Sequence, residues 1–261
     1  MSRPEERGAG AGAPARPAPT AAVLISFDEE RASDSPLIER VWRSHSERAG
    51  TFLSIAACHW EMVVTRHAGQ TSLTVRGPET RASTADCPGG GEWLAIRFRL
   101  GTFMPAFPPA SLRDCRTVTL PAASSRAFWL ASSAWEYPGF ESAEAFVDRL
   151  CRHGLIRVDP VVTDVLCGGT GGSTPRTAER HFLRATGLTH GAVRQIERAR
   201  LAIRSLRAGG DPADATFEAG YFDQAHLTRS LRRFAGQTPS QVRRGDRQLS
   251  FLYKTEPSIA L

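Results

Sequence analysis

The residues best able to do chemistry in this 261-residue chain are arginines at helical spacing near its C-terminal end. A guanidinium is a rigid planar fork of N–H donors that fits the edge of guanine or two phosphate oxygens. Over residues 220–232, Ala225, Arg229 and Arg232 fall on one side of a helical wheel, with His226 and Arg233 beside them. Leu227, Leu231 and Phe234 form an apolar stripe opposite. A helix held down on one side and offering arginines on the other suits an anionic, grooved partner. Upstream, Arg176 and Arg180, flanked by Glu179 and Arg184, lie opposite Ala178, Phe182 and Ala185 in the same way.

His59, Glu61 and His67 form the one metal-like set. His59 and Glu61 share a strand face, yet no fourth ligand stands out, and ordinary structural roles are expected for all three. The five cysteines are odd in number and scattered without a C-x-x-C pair. This argues against a disulfide framework or thiolate zinc site and suits a reducing cytoplasm with buried, inert thiols. There is no nucleophile elbow, phosphate loop or catalytic carboxylate pair, so no enzyme and no cofactor is expected. No apolar run approaches a membrane span, and the N-terminal residues lack the apolar stretch of a signal peptide.

The arginines need short helices held by turns and caps. Gly220 supplies a turn, and Asp223 is placed as the N-cap of the helix carrying Arg229. Thr174-Pro175 opens the helix carrying Arg176, which runs to about Ala185, with Leu183 expected to pack under a neighbouring helix. Thr189 caps a longer helix to about Arg207, whose stripe of Val193, Ile196, Ala199, Ile203 and Leu206 leaves Leu201 outside, as in a connector touching a unit at each end. Short helices are expected at 160–166 and 213–219, and a last one carrying Val242 after Thr238-Pro239. The glycine-rich turn 168–172 predicts a loosely held first unit.

Before residue 159 the pattern is β-rich. Asp34-Ser35-Pro36 predicts a short helix through Leu37, Ile38, Val41 and Trp42. Strands are expected at 52–58, 61–67, 71–76, 92–100, 116–120 and 127–130, a loop at 87–91, and a helix at 142–153. Strand 92–100 alternates as though half-buried. Short strands at this spacing suggest a β-sandwich or small barrel, a good container for a small ligand. The low-complexity residues 1–20 are expected to be disordered.

The charge follows the same division. The net charge is +6, with Lys254 the only lysine. Residues 161–261 carry 15 basic against 9 acidic side chains, whereas residues 1–160 carry 18 of each. The excess therefore lies in the arginine-bearing half, which points to a polyanion. The scarcity of lysine throughout is accounted for by genomic base composition.

The stretch Gly220-Tyr221-Phe222-Asp223-Gln224-x-His226-Leu227-Thr228-Arg229-x-Leu231-Arg232-Arg233-Phe234-x-Gly236-Gln237-Thr238-Pro239-Ser240 resembles the C-terminal signature of AraC/XylS-type transcription regulators. Arg176-Thr177-x-x-Arg180-x-Phe182 with Thr186-Gly187-Leu188-Thr189 resembles the first helix-turn-helix of that domain. The resemblance implies an α+β protein: a disordered tail (1–20), a β-rich domain of the cupin-like kind for sensing or dimerisation (21–150), two helix-turn-helix units joined by a long helix (151–246), and a tail (247–261). It implies double-stranded DNA bound in the major groove, contact with RNA polymerase, and a small-molecule effector or a homodimer formed through the N-terminal domain; no membrane partner is expected, since no apolar run is long enough. By position, Arg176, Glu179 and Arg180, then Gln224, Ala225, His226 and Arg229, face bases; Arg232 and Arg233 hold phosphate. Ala225 offers only a methyl. Glu179 can accept from a cytosine amine or pair with Arg176, and His226 can touch a base or cap the turn. The alternatives are a cupin-like metalloenzyme with an accessory DNA-binding domain, or an architectural DNA-binding protein without an effector.

Overall fold

The computed structural model describes residues 24–114, 116–169, 172 and 174–249. The tail expected to be disordered over residues 1–20 lies outside them, as does most of the tail 247–261. The N-terminal half is β-rich: β1 (Ser26–Ala32), β2 (Ile38–Ser46), β3 (Gly50–Ser54), β4 (Glu61–His67), β5 (Gln70–Arg76), β6 (Ser83–Cys87), β7 (Gly91–Phe98), β8 (Thr102–Phe103), β9 (Thr117–Leu120), β10 (Ala122–Ser124), β11 (Ala127–Leu130) and β12 (Ser133–Glu136). Helix α1 (Ala143–Arg152) and β13 (Arg157–Val158) follow, and then α2 (Pro160–Leu166), α3 (Pro175–Thr186), α4 (His190–Arg207), α5 (Pro212–Glu218), α6 (Gln224–Ala235) and α7 (Pro239–Arg244). The protein is thus α+β, a β-rich region followed by a helical one.

Six antiparallel strands in the order β1-β2-β7-β4-β5-β9 form the main sheet. One face buries Ile38, Met62, Leu73, Ile96 and Phe98 against Phe128 of β11 and Phe146 and Leu150 of α1. The other face carries Trp42, Val63 and Ala95 and is opposed by the two-stranded ribbon β3–β6. Between these layers β7 is covered on both faces from Leu94 to Phe98, so the half-buried strand expected at 92–100 is a fully buried central one.

Two departures from the sequence expectation have clear causes. The helix expected through Leu37–Trp42 is strand β2. Its register against β7 shifts between Ile38 and Arg40, so Ile38 and Val41 reach the same core face three residues apart. A bulge thereby imitates a helical step. The strand expected to reach Cys58 ends at Ser54, because Ile55, Ala56 and Cys58 leave the sheet and enter the core of the helical half. Strands β1, β6, β8, β10, β12 and β13 carry too weak an alternation to be read from the sequence.

In the helical half, Phe182, Ile196, Ile203, Leu206, Leu227, Leu231, Phe234 and Val242 form one core with Leu53, Ile55, Ala56 and Cys58 from the β-rich half. Helix α4 touches α3, α5, α6 and α7, which is what its apolar residues on two sides require. Backbone hydrogen bonds cross the seam: Ala56 N–H donates to Phe234 O at 2.8 Å and Ala82 N–H to Arg233 O at 2.9 Å. Leu183 does not pack under a neighbour; it is 42% exposed, because Phe182 and Ala185 already occupy the buried side of α3.

Candidate nucleic-acid interface

The arginines of α6 are set by a chain of local constraints. Asp211 caps α5 by accepting from the Ala213 amide, and Pro212 stands at the first helical position. Gly220 turns the chain at φ 68°, a conformation costly for any residue with a Cβ. Asp223 then accepts the His226 amide at 2.6 Å as the N-cap of α6. Tyr221 is buried under the turn and its hydroxyl bonds Ser230 Oγ at 2.8 Å. Leu227, Leu231 and Phe234 are buried, so the opposite side of α6 must face outward.

That outward side holds all six residues singled out in the sequence. Gln224, Ala225, His226, Arg229, Arg232 and Arg233 are exposed. The His226 amide completes the cap, while its ring packs edge-on to Tyr221 at 5.1 Å and stays exposed. Arg233 folds its guanidinium over Phe234 at 4.9 Å. Arg229 and Arg232 make no ion pair among the described residues, so both cations are available to an external anion.

One residue outside the sequence reading organises this turn. Arg198, projecting from α4, donates from Nε to Ala219 O at 3.0 Å and from Nη2 to Gly220 O, and lies 4.5 Å from the Tyr221 ring centroid. It satisfies carbonyls at the end of α5 that no intrahelical amide reaches. With Gln195, Tyr221, His226, Arg229 and Arg233 it lines a polar concavity of about 270 Å³. Its spacing along α4 was legible, but its target across the turn was not. Phe217 and Phe222, 87% and 93% exposed, flank the same turn and were also missed.

The first unit is held differently. Asp159 caps α2 by accepting from Val161 N–H at 3.1 Å, and its buried carboxylate also binds His181 Nδ1 at 2.8 Å and Arg184 Nη2 at 2.9 Å. Burial alone would raise this carboxyl, but the hydrogen bonds from His181 and Arg184 outweigh it and hold the group below the usual carboxylate range. Thr174 caps α3 by accepting the Thr177 amide, and Gly187 ends it at φ 74° against the backbone of Pro109 and Ala110. Helix α3 is therefore tied down along its C-terminal half, despite the glycines that precede it. Arg176, Glu179 and Arg180 are exposed, and no ion pair joins Glu179 to Arg176 among the described residues.

The metal-like set does not converge. His59 Nε2 lies 3.4 Å from Glu39 and Arg97 Nε lies 2.9 Å from Glu61, while His67 is exposed at the end of β4. Desolvation holds the His59 imidazole below its ordinary value, although Glu39 pulls the other way. Glu39 and His59 also feel the charge of Arg200 of α4, which donates to Ala56 O at 3.3 Å and lies 3.8 Å from Glu197. His59 and Glu61 thus belong to an ion-pair network at the seam between the halves, and His67 stands apart from it. Among the described residues no three His, Cys, Asp or Glu side chains are grouped to hold a metal, and the four described cysteines are free thiols. No helix among them is long and apolar enough to cross a membrane.

Comparison with known proteins bears on this same region. Residues 171–245 match the family model described as a helix-turn-helix domain. No curated protein and no solved structure matches the chain.

Proposed function

We propose, from the premise that residues 171–245 are an AraC-type helix-turn-helix domain and the chain a DNA-binding transcription regulator, that it recognises specific DNA sequences with α3 and α6 under the control of a signal received by the β-rich half. The observation that carries this reading is the pair of capped helices on either side of α4, each burying one stripe and presenting on the other exposed arginines (Arg176 and Arg180, Arg229 and Arg232) that make no ion pair among the described residues. Two such helices on one chain suit successive major-groove segments about 34 Å apart. Arg176, Glu179 and Arg180, and Gln224, His226 and Arg229, are assigned to base edges, with Ala225 touching at most a thymine methyl. Arg232 and Arg233 are assigned to phosphates, giving affinity and salt dependence without sequence preference. Phe217 and Phe222 add apolar contact at the edge of the same groove. The protein acts in the cytoplasm as a binding protein rather than an enzyme, with RNA polymerase and a second copy of the chain as further partners.

The test is selection of bound fragments from a genomic library by the full chain, followed by gel-shift at moderate salt. Retention of a common sequence over random competitor is the expected result. Equal binding to all fragments with a steep salt slope defeats the specific reading and leaves an architectural one.

A further inference from the structure

The β-rich half contains a cavity of about 350 Å³ between the outer face of the main sheet and the ribbon β3–β6. Its size lies at the lower end of small-molecule sites, roughly 300–1,000 Å³. Four flat aromatic rings line the cavity: Phe27, Trp42 and Trp93 from the sheet and Phe52 from the ribbon. Trp42 is held from outside the cavity by the Arg97 guanidinium 5.1 Å from its ring, so this wall is preorganised. The hydroxyls of Ser44 and Thr65 supply hydrogen-bonding positions. The two charged residues of the lining are Arg76, which lies 3.8 Å from Glu79, and Asp86, which is exposed, so neither an anion nor a cation finds a dedicated buried partner.

The last piece of wall comes from the other half of the protein. Beyond α7, Gln248 and Leu249 return to line the cavity. The Gln248 side chain accepts the amides of Leu24 at 2.7 Å and Ile25 at 3.1 Å and donates to Ile25 O at 2.7 Å. The Gln248 main-chain carbonyl accepts the Leu53 amide, and Leu249 pairs with Leu53 as a parallel bridge while being 2% exposed. The chain that leaves the reading helices is thus woven between the start of β1 and the strand β3.

We propose that this cavity binds a flat, uncharged, mainly apolar molecule of one or two rings bearing a hydroxyl or ring N–H, and that Gln248 and Leu249 are the wall through which its presence reaches the reading helices. The coupling rests on the regulator reading above; the site itself does not. A ligand touching Leu249 makes that contact only when the segment is docked, and such a differential contact is what shifts an equilibrium between docked and undocked arrangements. Leu249 pairs with Leu53, and three residues further on the Ala56 amide donates to Phe234 O, beside Ala82 N–H to Arg233 O, so the strand that receives Leu249 leads directly to the C-terminal end of α6. A ligand that favours docking therefore favours one placement of α6.

The experiment is calorimetric titration of the full chain with indole and 2-naphthol, and with benzoate and phenethylamine as charged comparators, repeated on Leu249→Ala and Leu249→Phe. The neutral rings bind the parent protein, more tightly than either charged probe. Leu249→Ala weakens them roughly tenfold by removing wall contact. Leu249→Phe fills the space and blocks them while keeping the thermal midpoint, which separates loss of the site from loss of folding. Bound ring also changes the affinity for the selected DNA fragment severalfold, DNA changes ring affinity by the same factor, and Leu249→Ala removes both effects. Preference for a charged probe, or ring binding indifferent to both substitutions, overturns the proposal. Ring binding that depends on Leu249 in a protein that selects no DNA upholds the site and defeats the regulator reading. Selective DNA binding without Leu249-dependent ring binding does the reverse.

Discussion

Replacing Arg198 by alanine should loosen the turn that presents α6. The side chain makes two hydrogen bonds to the carbonyls of Ala219 and Gly220 and stacks on Tyr221. A hydrogen bond from a charged donor contributes about 1.5–3 kcal/mol, and a cation–π contact at a partly exposed site about 0.5–1 kcal/mol. The Gly220 carbonyl is exposed and regains water on truncation, so only part of that sum is lost, about 2–3 kcal/mol. The loss concentrates on residues 219–223, where the amides of Gly220 and Tyr221 bond back to Phe217 O at 2.9 Å and Thr216 O at 2.8 Å. Native-state hydrogen exchange at these two amides should accelerate roughly 30- to 150-fold. Arg198→Lys, which can reach one carbonyl but lacks the planar fork, should fall between. The measurement needs no knowledge of the DNA target. Unchanged exchange at Gly220 and Tyr221 in Arg198→Ala would refute the view that α4 clamps the turn.

Other substitutions probe separate parts of the molecule. Arg229→Ala should relax preference at one base pair by about 1–3 kcal/mol, whereas Arg232→Ala should weaken all sequences alike and reduce the salt slope by about one; competition binding on single-base variants of a selected fragment separates the two, and equal behaviour contradicts the division of roles. Gly187→Ala places a Cβ 2.7 Å from Ala110 N and 2.8 Å from Pro109 C at φ 74°, so denaturant unfolding should show a loss of at least about 2 kcal/mol; a loss below about 0.5 kcal/mol would mean that α3 does not abut this backbone. The hydrogen bond from Arg31 foremost, and that from Ser33, hold the Glu144 carboxyl down to about 2 against the opposing effect of burial. Its folded value lies below its unfolded one, so its contribution is complete above about pH 4.5 and disappears as the pH falls from there to about 2. With solvent screening it amounts to about 1 kcal/mol, and Glu144→Gln should flatten acid unfolding in that window; an unaltered acid limb counts against the pairing of β1 with α1.

The helical half was readable because its information is local. Caps at Thr174, Thr189, Asp223 and Thr238, turns at Gly187 and Gly220, and stripes at three- and four-residue steps are short-range requirements, and the helices observed there begin at those caps. The exposed arginines of α6 follow from the same wheel that buries Leu227 and Leu231. The β-rich half was less readable because its strands take their meaning from partners far along the chain. The bulge in β2 produced a helical-looking spacing, and β7 lost its apparent half-exposure once strands and ribbon covered both faces.

The sequence by itself therefore determined the two arginine-bearing helices, their caps and the charge that separates one half of the chain from the other. Each depends on contacts within a few residues or on simple counting. Only the tertiary structure decided that Arg198 reaches across a turn to hold α6, that His59 and Glu61 belong to an ion-pair seam, that Ile55 to Cys58 enter the helical core, and that Gln248 and Leu249 close a cavity in the β-rich half, Gln248 bonding Leu24 and Ile25 more than two hundred residues earlier in the chain. Those juxtapositions are set by how sheet, ribbon and helices pack to bury their apolar faces together, and no local spacing encodes them.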